Sequence, residues 1–120
     1  MQPISKTPTF LRLLADVDER LRALRAQSKG AEDEVAEINA IQRVLAMLTN
    51  VETDAQLVDA YDEARGLMMP ADKIETARTE GENRAGVWLK QRIESALDAL
   101  GVENPPGPTA SASPKRKAQP

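Results

Sequence analysis

Residues 7–50 decide the fold: "TPTFLRLLADVDERLRALRAQSKGAEDEVAEINAIQRVLAMLTN". The stretch opens with Thr7-Pro8-Thr9, where a hydroxyl can accept from the free N–H groups of a helix start and proline suits the first helical position. Phe10, Leu14, Val17, Leu21 and Leu24 follow at spacings of 4, 3, 4 and 3 residues, which sets one narrow apolar stripe on a helix. Lys29-Gly30 offers a stop, because glycine reaches the left-handed conformation past a helix end. Glu32, Asp33 and Glu34 then supply acids that complement a helix N-terminus. Val35, Ile38, Ile41, Leu45 and Leu48 repeat on one face after them, and Thr49-Asn50 ends the run. The link "QSKGAED" is short, so the two helices are predicted to fold back as an antiparallel hairpin. Asp16 to Arg20 and Asp18 to Arg22 place acid before base at four-residue spacing and are expected to pair on the solvated flank.

Outward from the hairpin, Thr53 can cap a third, shorter helix with Leu57, Tyr61, Ala64 and Met68 in line and Val58 beside them. Pro70 interrupts the pattern. The polar stretch that follows, with Gly81 and Gly86, is expected to be an exposed helical segment or a partly ordered link. From Glu82 a last helix carries Ala85, Leu89, Ile93, Ala96 and Leu100 on one stripe and stops at Gly101. Neither strand-like alternation nor a repeat period is visible. The predicted class is all-α: a small four-helix bundle-like domain over residues 1–101. Residues 102–120 hold five of the eight prolines and no apolar periodicity, and a disordered tail is expected there because burial cannot offset the entropy of ordering it.

At 120 residues the chain supports one domain with a modest core. Phe10, Tyr61 and Trp88 are its only aromatic residues, so core volume falls to Leu, Ile, Val, Met and many alanines, and small side chains favour closely approaching helices. The chain has no cysteine and no histidine. That excludes disulfides, thiolate zinc sites, a cysteine nucleophile and the Ser-His-Asp arrangement, and leaves carboxylates, Lys90 and other lysines, hydroxyls and backbone for chemistry. A non-catalytic protein without a cofactor is expected. No run of 18 apolar residues occurs, and acids follow the first short apolar run directly, which predicts no signal peptide, no membrane span and a cytoplasmic location.

Three of the 16 cations (Lys115, Arg116 and Lys117) and one of the 19 acids (Glu103) lie beyond residue 101, so the body carries −5 and the whole chain −3. The element Ser113-Pro114-Lys115-Arg116 resembles the Ser-Pro-basic-basic motif of histone tails that bind the DNA minor groove. With Lys117 it would give about three phosphate contacts, a weak and salt-sensitive attraction. An acidic body repels phosphate and disfavours a major-groove helix. Glu32, Asp33, Glu34 and Glu37 form the best candidate patch for covering a basic surface on another protein, although complementing the helix dipole accounts for their position equally well.

Two pairs of acids, Glu34 with Glu37 and Asp59 with Asp62, stand three residues apart on predicted helices. Such pairs on facing helices can share Mg²⁺ through oxygen ligands. The pattern resembles the paired-acid motif of all-α nucleoside-triphosphate pyrophosphohydrolases, and the resemblance implies a Mg²⁺-dependent phosphohydrolase. It departs from that motif in having aspartate at the third position and no apolar run directly after it. Glu34 is expected to point inward, and Asp59 and Asp62 to water.

Val87 and Trp88 lie off the Leu89, Ile93, Ala96 and Leu100 stripe by about a quarter-turn or more. Two apolar directions on one helix mean burial on two sides. The helix is either wedged among the other three with Trp88 at the core edge, or it presents Trp88 as a partner-facing anchor. Met68 and Met69 allow the same two readings. These features predict a non-catalytic interaction or assembly protein, a small adaptor or inhibitor that binds a protein partner or itself through helix faces. The arginine- and alanine-rich composition suits a high-GC bacterium or its phage. The alternative is a nucleic-acid-associated accessory protein that uses its basic tail.

Overall fold

The computed structural model describes residues 4–102. Helix α1 (Pro8–Gln27) begins where the sequence predicts: Thr7 caps it, its hydroxyl accepting from the Phe10 N–H at 3.3 Å, and Pro8 takes the first turn. Its C-cap is Ser28, and Gly30 adopts φ +85° in the link that follows. Helix α2 (Glu32–Thr49) opens with the three acids. Helix α3 (Asp54–Gly66) is capped by Thr53, with Gln56 closing the box by accepting from the Thr53 N–H at 3.0 Å. After a short 3₁₀ turn at Ala71–Lys73, helix α4 (Ala77–Leu100) starts at a Thr76 cap. It stops at Gly101, where φ is +73° and the Val102 N–H reaches back to the Leu97 carbonyl at 2.9 Å. The described residues contain no strand. The all-α, four-helix class stands.

Of the two forms expected before Glu82, the exposed helical segment is the one present: α4 already begins at Ala77, and its first turn is largely exposed. Gly81 and Gly86 lie buried inside the helix, at its closest approaches to its neighbours. A Cβ on Gly81 would fall on the Asp33 carbonyl of α2, and one on Gly86 would stand 2.8 Å from the Ala64 carbonyl oxygen of α3. In the sequence the two glycines weaken a helix. In the fold they let helix backbones touch.

Pairings fix the topology. Gly81 meets Asp33 and Arg84 meets Glu37, so α2 and α4 begin together and run parallel. Tyr61 bonds to Glu94 and Met69 to Asn83, so α3 runs back against α4. Helix α4 packs most extensively on α2, then on α3, then on α1, as expected of a last helix wedged among the others.

The core is built from Phe10, Leu13, Val17 and Leu21 of α1, Ile41, Val44 and Leu48 of α2, Leu57 and Tyr61 of α3, and Leu89, Ile93 and Leu97 of α4. All four stripes differ from their predicted course; on α4, Leu97 is buried and Leu100 only flanks the core. On α1, Leu13 is buried, while Leu14 and Leu24 only flank the core, because the helix settles between α2 and α4 and buries a wider face than a heptad seam. On α2, Val35 is 43% exposed, and the inward face runs through Glu37, Ala40, Ile41, Val44 and Leu48. On α3, Leu67 takes the buried place expected of Met68 because the helix ends at Gly66. Val102, assigned from sequence to the tail, packs against the core. Lys115, Arg116, Lys117 and the rest of the predicted tail lie outside the described residues. Among the described residues no helix is long and apolar enough to cross a membrane.

Candidate functional site

Glu37 is the one buried charged residue among the described residues, 2% exposed in the middle of the inward face of α2. A carboxylate can be held there only with cationic partners. Two arrive from different helices: Arg84 Nε of α4 donates to Oε1 at 2.7 Å, and an Arg20 Nη of α1 donates to Oε2 at 3.3 Å. Arg84 also donates to Asp33 at 3.0 Å. These bonds, Glu37's first and Asp33's after it, hold the Arg84 guanidinium above its ordinary pKa. The predicted pairing of Asp18 with Arg22 is present at 3.0 Å. That of Asp16 with Arg20 is not among the ion pairs, because Arg20 turns inward to Glu37.

Above this buried pairing lies Trp88. The Arg20 guanidinium stands 5.4 Å from the ring centroid and that of Arg92, one turn along α4, 5.2 Å. Each contact contributes roughly 0.5–1 kcal/mol at a partly exposed site. Trp88 is partly buried and packs against the core edge. Trp88 thus sits at the core edge with its ring fixed by two arginines, and it also lines an open groove. The Nε of Arg20 is buried beside it with no acceptor among the described residues.

Val87, next in line, is 37% exposed. A groove of about 420 Å³ runs past Val87, Trp88, Arg20, Arg84, Asn83 and Gln91. Asn83 accepts the Met69 N–H at 2.8 Å, and Met68 lies against Gly86 and is itself 37% exposed. Of the residues singled out from sequence as anchors, Val87 and Trp88 thus line one groove, while Met68 and Met69 sit on the α3 side of α4, beside Gly86 and Asn83.

The four acids of the predicted Mg²⁺ site do not come together. Glu34, expected to point inward, closes the α1–α2 link instead. It accepts from the backbone N–H groups of Lys29 at 2.9 Å and Ala31 at 3.2 Å and from the Ser28 hydroxyl at 3.3 Å, and the two backbone donors, Lys29 first, lower its pKa. Glu37 is engaged by two arginines. Asp59 and Asp62 are exposed on α3. Among the described residues no group of three or more acids is placed to hold a metal ion.

No family model, curated protein or solved structure matches the chain. Sequence periodicity missed the Glu37 triad because a carboxylate does not register in an apolar stripe. The signal available was an acid in phase with Ile41, Val44 and Leu48.

Proposed function

We propose that this is a non-catalytic interaction protein whose outward α4 face, with Val87 and Trp88, docks on a protein partner. The observation that carries this reading is that Val87, one of the four large apolar side chains left exposed among the described residues, lines the same groove as Trp88. An aromatic anchor in a groove with apolar neighbours and an arginine-rich rim has the composition of an interface hot spot. The arginine contacts pre-orient the indole, so little rotamer entropy remains to be lost on binding.

The reading is tested by photo-cross-linking in the native cell, with a photoreactive residue at position 87 and, as control, at exposed Asp59. A discrete cross-linked partner is expected from position 87 and lost with Trp88→Ala. Equal cross-linking from position 59, or none from 87, would remove the face. Sedimentation of the purified chain separates self-association, which would make the partner a second copy.

A further inference from the structure

We infer that the trough along the α1–α4 seam receives a protein segment that sets a carboxylate on Arg92 and an apolar side chain against Val87 and Trp88. This rests on the docking reading above and names the partner's chemistry. Three neighbouring concavities follow one another along this seam and share lining residues, and together they make up the trough. The groove at Val87 shares Arg20 and Trp88 with the next, which shares Asp16 and Arg92 with the last, between Thr9 and Ser95. From Glu80 to Ser95 the α4 wall runs about 22 Å. That length suits about four turns of a helix or six to seven extended residues.

Charge selects the occupant. Arg84 is neutralised from beneath by Glu37 and Asp33, and Arg20 by Glu37. Arg92 is different: its guanidinium lies over the Trp88 ring, and among the described residues it has no carboxylate at ion-pair distance. A guanidinium stacked on an indole keeps its N–H edge free, and that edge fits a carboxylate through two parallel hydrogen bonds. Arg12, at the same end of the trough, adds a second cation. Asp16 and Glu19 line the α1 wall, and Glu80 the far end of α4. Asp16 and Glu19 repel an acid placed on their own side, which confines the partner's carboxylate to the Arg92 wall and gives the docking a direction.

Two tryptophan-free helical peptides of about 16 residues, with leucines on one face flanked by glutamates or by lysines, test this against the full chain. The readout is emission from Trp88, the one tryptophan present. The glutamate peptide should bind about tenfold tighter than the lysine peptide. Arg92→Gln should abolish the preference and Arg92→Lys keep part of it, whereas Val87→Ser should weaken both peptides. Equal or tighter binding of the lysine peptide, or a preference that survives Arg92→Gln, overturns the carboxylate assignment and leaves the docking face standing. Failure of both peptides to bind overturns the face and the assignment together.

Discussion

Helix α4 has two kinds of seam. Against α2 and α3 it is closed by glycine: Gly81 and Gly86 bring backbone to backbone, with no room for a methyl group. Against α1 it is lined by long side chains, Arg20, Arg92 and Trp88, stacked on one another above concavities. Where small residues meet, packing is dense and unavailable to anything else. Where arginines and an indole meet, the helices are joined by groups that keep polar edges turned outward. The same helix thereby holds the domain together on one side and offers a surface on the other.

Substitution at the closed seams should break this contrast most severely. Gly86→Val or Gly81→Ala forces a side chain into backbone, and urea unfolding should register a loss of about 3 kcal/mol in spite of the gain in helix propensity. Glu37→Ala comes next, at about 2–3 kcal/mol, because it strands Arg20 and Arg84, whose side chains at 37% and 40% exposure can still turn to water. A double-mutant cycle with Arg84→Ala should then show strong coupling.

The α3 seam supplies a finer comparison. Tyr61 donates to Glu94 at 3.0 Å, and Tyr61→Phe should cost about 1 kcal/mol. Burial, and after it the Glu94 bond, raise the phenol pKa. Its contribution is therefore complete below pH 10.0, the value of the unfolded group, and is lost as pH rises through the higher folded value. The Y61F chain should lack that alkaline loss.

The smallest effect belongs to Glu34. Its lowered pKa makes its contribution present above pH 4.5 and lost as pH falls through the folded value. Glu34→Ala should flatten the acid limb of the stability curve and speed amide exchange at Lys29 and Ala31.

The parts legible in the sequence are those set by local chemistry. Thr7 with Pro8, Thr53, and Gly101 mark helix ends by the donors and conformations they satisfy within a few residues, and all three stand where they were read. What escaped depends on another helix. Gly81 and Gly86 read as helix-weakening because their use lies in the Asp33 and Ala64 carbonyls, distant in sequence. Val35 read as core and Glu37 as surface because the pairing that reverses them comes from Arg20 and Arg84. Val87 and Trp88 were legible as a second apolar direction on the last helix. The arginines that fix the indole were not, since nothing in spacing alone assigns a cation to an aromatic face.

The partners of Glu37 also divide the molecule in time. Arg20 emerges from synthesis before it and Arg84 forty-seven residues after it. A chain that has reached only the end of α3 holds Glu37 with one cation, and Ile41, Val44 and Leu48 without the helix on which α2 packs most. The long-range α2–α4 pairing has a loop-closure cost that the short α1–α2 link does not. The domain is finished by α4.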